Sequence, residues 1–257
     1  MLSAIFDLAT APDSSTADNF SRIVPLTHVS RSWRAILLNH GQIWSNIRIW
    51  GQDPHMLATQ ISRCQQAPLF VLVKAPPRGT RGFSHYLDLH TNIQEGAWLI
   101  RNRRDQVKRL EVHVDCRTFP HQFGFGWPSL REFVWVDTCD MGSRLHRAVC
   151  VDPADAGLPR MKRLTVERGI GWPMDVAAQL TTFKLQGPID LESAALADFF
   201  RRNTSLEVLE LDNLTISSPP SGRPEEPIEL PRLSKLLIQD STRQHILPLL
   251  NLPSLGL

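Results

Sequence analysis

Along most of the chain, apolar residues recur in one spacing, apolar-x-x-apolar-x-apolar. The triplets are Val107/Leu110/Val112, Leu130/Phe133/Trp135, Met161/Leu164/Val166, Leu180/Phe183/Leu185, Leu206/Leu209/Leu211 and Leu233/Leu236/Ile238. The last two positions of each triplet are two residues apart, so each predicts a short strand with its apolar side chains on one face. The triplets begin at 107, 130, 161, 180, 206 and 233, and a further opening stands at Leu255, so the spacings of 19 to 31 residues mark an internal repeat. Four openings carry a proline two residues before the aligned position: Trp127-Pro-Ser-Leu130, Leu158-Pro-Arg-Met161, Leu230-Pro-Arg-Leu233 and Leu252-Pro-Ser-Leu255. The inward residues build a core while the connecting segments return outside. Residues 190–203, with Leu191, Ala194, Ala195 and Phe199 on one helical face, predict the clearest returning helix. The flanking strand positions then share the opposite, concave face. Arg109, Glu111, Val134, Val136 and Arg163 fall on it, and further along Lys184, Val208, Glu210, Lys235 and Leu237. Both charge signs with interspersed apolar residues suit a protein partner.

The first fifty residues follow a different period. Leu2, Ile5, Phe6 and Ala9 lie at i, i+3, i+4 and i+7, which predicts a short amphipathic helix ending before Pro12. A second helix starts near Pro25 and places Leu26, Val29, Ser30, Trp33 and Leu37 on one stripe up to His40-Gly41. Ile43-Trp44 adds a large apolar anchor. A helical unit of this size closes its own core poorly, so part of its apolar surface is expected to pack on another chain. Residues 56–66 predict a helix with Leu57, Ile61 and Cys64 on one face, and residues 67–73 a strand. Residues 51–106 thus read as a junction or a degenerate first repeat. The proline-rich stretches 75–79 and 217–229 read as loops.

Taken together, Leu2-x-x-Ile5-Phe6-x-x-Ala9, Pro25-Leu26-x-x-Val29-Ser30-Arg31-x-Trp33-Arg34-Ala35-Ile36 and Ile43-Trp44-Ser45-x-Ile47 resemble the F-box of fungal F-box-like proteins. The repeats resemble the leucine-rich-repeat half of F-box proteins that carry such repeats. The resemblance implies a mixed α/β chain: F-box-like helices over 1–50, the junction over 51–106, and an irregular leucine-rich-repeat solenoid over 107–257. It also implies a function, that of substrate receptor in an SCF-type cullin-RING ubiquitin ligase serving ubiquitin-dependent protein degradation. In that family the F-box binds a Skp-type adaptor. By position, Leu2, Ile5, Phe6, Pro25, Leu26 and Val29 would touch the adaptor, and Trp33 and Trp44 would hold the helices together. The repeats would take a protein substrate. A ligase-independent interaction scaffold is the second reading. The family's Leu-Pro-x-Glu opening does not precede Leu2, which a start inside the first helix and a decayed F-box would explain equally; Leu252–Leu257 opens another repeat, so a natural product that continues past Leu257 is expected.

Composition narrows the picture little. At 257 residues, 42% hydrophobic and 21% charged, the chain has ordinary globular usage. A net charge of +2, spread along the sequence, implies neither a nucleic-acid nor an anionic-membrane partner. The densest basic cluster is Arg101, Arg103, Arg104, Lys108 and Arg109, without interleaved aromatics. Cys64, Cys116, Cys139 and Cys150 form no C-x-x-C pair, and with His146 they match no zinc spacing, so reduced thiols and a cytoplasmic or nuclear setting are expected. No phosphate loop, nucleophile elbow or zinc-protease motif is present, and Gly124-Phe-Gly126 reads as a turn. The expectation is a chain with no catalysis, cofactor or metal of its own.

Overall fold

The structure, a computed structural model, describes residues 19–74, 83–114, 126–138, 160–167, 179–217, 227–239, 243 and 246–251. The fold is mixed α/β, with parallel strand pairing throughout the ladders given below. The chain divides near residue 114 into two compact units.

Among the described residues the first elements of the first unit are helix α1 (Asn19–Leu26) and helix α2 (Arg31–Asn39). Sequence periodicity predicts one helix from Pro25 to His40, but the chain breaks it at 27–30. Thr27 Oγ1–H donates to Val24 O (2.7 Å), and Ser30 Oγ accepts from Trp33 N–H (3.1 Å) as the cap of α2. Arg34 Nε–H donates to Thr27 O (2.9 Å) and fastens the turn. After a short 3-10 turn, Gly41–Trp44, come strand β1 (Asn46–Ile49), helix α3 (Pro54–Cys64), strand β2 (Leu69–Lys74), helix α4 (Phe83–Arg101) and strand β3 (Val107–Val114). The segment read as a junction therefore carries two crossover helices and a strand, because parallel neighbours need a crossover between them.

Pairing runs in the order β1-β2-β3, with Ile47 opposite Val71 and Ile49 opposite Val73, then Val71 opposite Leu110 and Val73 opposite Val112. These six side chains are buried with Leu57, Ile61 and Cys64 of α3 and Ile93, Ala97 and Ile100 of α4. Trp44/Ile47/Ile49 has the same spacing as the later triplets, so the pattern already begins inside the first fifty residues.

Gly41 permits a close backbone approach in this unit. A Cβ there would lie 2.5 Å from Cys64 O, a main-chain atom at the end of α3. Gly41→Ala is expected to lower unfolding stability by about 1–3 kcal/mol through this overpacking. An unchanged denaturation midpoint would mean that the turn and α3 can separate without cost.

The second unit holds β4 (Glu132–Asp137), β5 (Arg163–Glu167), β6 (Thr182–Glu192), β7 (Val208–Ser217) and β9 (Lys235–Ile238), with helix α5 (Ser193–Arg202) crossing from β6 to β7. A separate parallel pair joins β8 (Ile228–Glu229) to β10 (Leu250–Asn251). In the main ladder Phe133, Leu164, Phe183, Leu209 and Leu236 are successive partners, as are Trp135, Val166, Leu185, Leu211 and Ile238. Residues aligned by the sequence pattern are thus neighbours in space. The first positions, Leu130, Met161, Leu180, Leu206 and Leu233, are all buried.

The strands are also tied by one recurring main-chain arrangement. Arg131 O accepts from Lys162 and Arg163 N–H, Lys162 O from Thr181 and Thr182, Thr181 O from Glu207 and Val208, and Glu207 O from Ser234 and Lys235. Two proline openings make the same tight turn: Leu130 N–H donates to Trp127 O and Leu233 N–H to Leu230 O, both at 3.1 Å.

The returning helix starts later than its periodicity suggests. Gly187, at φ 125°, and Pro188 sit where the register shifts, after which Ile189–Glu192 pair with Leu214–Ser217 as strand. The buried face of α5 is consequently Ser193, Leu196, Ala197, Phe199 and Phe200, with Ala194 exposed and Ala195 half-buried. Phe199 packs on Phe183 with ring centroids 4.5 Å apart.

Candidate functional site

In the second unit, the outward positions of β4 to β9 form ordered rows. Glu132, Arg163, Thr182, Val208 and Lys235 are successive partners; Val134, Thr165, Lys184, Glu210 and Leu237 make the next row; Val136, Glu167, Gln186 and Asp212 the third. The eight concave-face candidates of this unit therefore share one sheet face. Val134, Val136 and Val208 are half-buried, whereas Leu237 is 51% exposed.

Charge on this face is partly matched. Lys184 Nζ lies 2.8 Å from Glu210 Oε2 and Lys235 Nζ 2.7 Å from Glu210 Oε1, while Arg163 stands 3.9 Å from Glu132. Hydrogen bonds from Lys184 and then Lys235 hold the Glu210 carboxyl below the ordinary carboxylate range. Because the folded carboxyl titrates below the unfolded one, its stabilisation is complete above the unfolded value and is lost as pH falls through the folded one. Denaturation midpoints of the wild type are expected to fall on acidification through that range, and those of Glu210→Gln to fall less. Equal slopes in the two proteins would show that the trio contributes nothing.

A depression of about 430 Å³ opens on this face, with Thr165, Glu167, Lys184, Gln186, Asp212 and Leu237 in its lining. Asp212 Oδ1 is closed off from solvent and has no hydrogen-bond partner. Sequence pattern places Asp212 on the face, but no signal in it marks this oxygen as unsatisfied.

Arg109 and Glu111 belong to the first unit, 2.8 Å apart, and His113 Nε2 lies 2.7 Å from the other Glu111 oxygen. Hydrogen bonding with His113, and then with Arg109, lowers the Glu111 carboxyl. On the same face Phe70, 39% exposed, is the partner of Arg109, and Leu72 that of Glu111. Reading β2 as a junction hid these two apolar residues, although the alternation in Leu69–Val73 carries them. The basic cluster does not share one strand face: Arg101 ends α4, Arg103 and Arg104 lie in the following turn, and Lys108 and Arg109 are on β3.

Of the adaptor-facing candidates, Leu2, Ile5 and Phe6 lie outside the described residues. Pro25 is exposed, Leu26 half-buried, and Val29, in the turn between α1 and α2, 59% exposed. Trp33 is partly buried and Trp44 wholly so. Trp44 Nε1–H donates to Leu37 O (2.7 Å), and its carbonyl accepts from Gln60 Nε2–H (3.2 Å) and Cys64 Sγ–H (3.1 Å). Trp44 thus joins the helical segment to α3.

Burial pushes the Cys64 thiol up to about 12, so it is no nucleophile at neutral pH. Cys116, Cys139, Cys150 and His146 lie outside the described residues, as do the loop 75–79, residues 218–226 of the second loop, Gly124, Phe125, Leu158 and Leu252–Leu257. Among the described residues no three His, Cys, Asp or Glu side chains converge as a metal site requires. No described helix is long and apolar enough to cross a membrane. Comparison with family models, with curated proteins and with solved structures gave no match.

Proposed function

We infer that the chain is a substrate receptor of an SCF-type cullin-RING ubiquitin ligase, with F-box-like helices that dock to a Skp-type adaptor and leucine-rich repeats that take a protein substrate. The observation that carries this reading is the coincidence between repeat and ladder: Phe133, Leu164, Phe183, Leu209 and Leu236 align in sequence and pair in register. A strand order that follows the chain, with segments returning between parallel neighbours, is what stacked leucine-rich repeats produce. The exposure of Pro25 and Val29 supports the docking half. Catalysis in this scheme belongs to other subunits and consists of bringing substrate lysines near a charged conjugating enzyme. Such a protein would work in the cytoplasm or nucleus.

Co-expression with a Skp-type adaptor tests the reading. Soluble yield is expected to rise and a stable complex to form, and both Phe6→Asp and Val29→Asp are expected to abolish the complex. An unchanged yield with no complex would remove the ligase role and leave the ligase-independent scaffold.

A further inference from the structure

We propose that the outward face of β1, β2 and β3 in the first unit docks an acidic segment of a partner polypeptide, one that carries an apolar side chain beside its carboxylates. The proposal rests on the receptor reading above and gives the partner a chemistry. On the inward face, α3 and α4 bury Leu57, Ile61, Ile93 and Ala97 against the side chains of the three strands. Parallel sheets are ordinarily covered on both faces, whereas on the outward side of β2 Phe70 is 39% exposed and Lys74 is exposed. Register places the neighbours: Asn46, Phe70 and Arg109 are successive partners, Arg48, Leu72 and Glu111 the next, and Lys74 pairs with His113. Phe70 and Leu72 thus form an apolar ridge on the middle strand, with Arg48 on one side, Arg109 on the other and Lys74 at its end.

Charge decides what can cover this ridge. The carboxylate in these rows, Glu111, is already engaged at both oxygens, by Arg109 at 2.8 Å and by His113 at 2.7 Å. Arg48 and Lys74 have no carboxylate partner among the described residues. A purely apolar partner would strip water from both cations without pairing them. A segment that carries carboxylates pairs them by charge-assisted hydrogen bonds and covers Phe70 and Leu72 in the same step. Strand spacing and rise put the Arg48 and Lys74 main chains about 8 Å apart, close to the separation of alternate residues in an extended segment. Nucleic acid is the poorer match. Leu72 offers no ring for a base to stack on, Glu111 repels phosphate, and two unpaired cations fall short of the about six to ten phosphate contacts of a strong binder.

A random-peptide display library selected on the full chain supplies the probe. Its tightest binder is titrated calorimetrically into wild type, Lys74→Glu, the double variant Arg48→Glu/Lys74→Glu and Phe70→Asp. Selected sequences are expected to carry Asp or Glu beside an apolar residue. The double charge reversal is expected to weaken binding about tenfold or more, because it sets like charges against each other. A peptide resynthesised with lysine for its carboxylates is expected to regain affinity for that variant and lose it for wild type, a reversal that a merely structural role of the two side chains would not give. If the double variant or Phe70→Asp melts early, Lys74→Glu, altered at an exposed side chain, carries the comparison with the two peptides. A library without binders, binders without acidic residues, or acidic binders indifferent to all three variants would overturn the docking face. So would a DNA duplex that binds wild type more tightly than the peptide and loses affinity on the same substitutions. Adaptor binding is measured on the same preparations: a complex without peptide binding overturns the docking face and leaves the receptor reading, whereas peptide binding without a complex removes the ligase role and leaves the docking face.

Discussion

Trp44→Ala is expected to destabilise the protein by about 3–5 kcal/mol, the range for truncating a buried aromatic. The side chain is fully buried, and its ring lies under the Arg63 guanidinium, 4.6 Å from the centroid. Truncation opens a cavity between α2 and α3 and leaves Leu37 O without its indole donor. Against a total stability of about 5–15 kcal/mol for an ordinary domain, such a loss can unfold the first unit. Trp44→Phe separates the two contributions, since it keeps most of the packing and loses only the hydrogen bond, worth about 1 kcal/mol. Urea denaturation followed by circular dichroism gives both numbers. An alanine variant with the wild-type midpoint would mean that this tryptophan does not join the helical segment to α3.

Asn203→Leu is the second large effect. Asn203 is completely buried, yet both ends of its amide are bonded: Oδ1 accepts from Leu180 N–H (3.0 Å) and Nδ2–H donates to Phe199 O (2.8 Å). Leucine has similar bulk but cannot bond either group. Two buried main-chain groups would then lack partners, at about 1–3 kcal/mol each. Asn203→Asp retains the acceptor for Leu180 and is expected to fall between wild type and the leucine variant near its own titration range. If thermal melting places Asn203→Leu beside wild type, water must replace the amide.

The sheet of the second unit was legible because its signal is periodic. Each inward residue repeats at a fixed place in the triplet, so aligning the sequence also aligned the register from Phe133 to Leu236. What escaped was aperiodic. The buried face of α4, Ile93, Ala97 and Ile100, is set among polar residues and interrupted by Gly96, a poor helix former that here permits close packing on Ile49 and Leu57. The break between α1 and α2 depends on single hydroxyls, those of Thr27 and Ser30. Trp44 was legible as an anchor, but only its spacing to Ile47 and Ile49 reveals that it also opens a strand. The rows of the candidate face followed from alternation alone. The unsatisfied oxygen of Asp212 depends on atomic contacts that no pattern of residue types encodes.

The main-chain arrangement at Arg131, Lys162, Thr181, Glu207 and Ser234 bears on how freely such a chain can diverge. Cation, hydroxyl and carboxylate all occupy this position, because the recurring bonds are made by the peptide groups, to which the hydroxyls of Thr181 and Ser234 each add a bond to the same carbonyl. A substitution at these sites leaves the main-chain bonds in place as long as it is not proline, which would delete the donor, although at Thr181 and Ser234 it also removes the hydroxyl's bond. Segments joining one strand to the next can likewise lengthen at a cost that grows only with the logarithm of their length, about 0.6 kcal/mol per doubling. Spacings as unequal as those between Leu130, Met161 and Leu180 are therefore compatible with one register. Inserting a flexible glycine-serine segment after Gly222 is the sort of alteration this architecture should tolerate, whereas deleting one residue within β5 would turn its alternating side chains to the wrong faces.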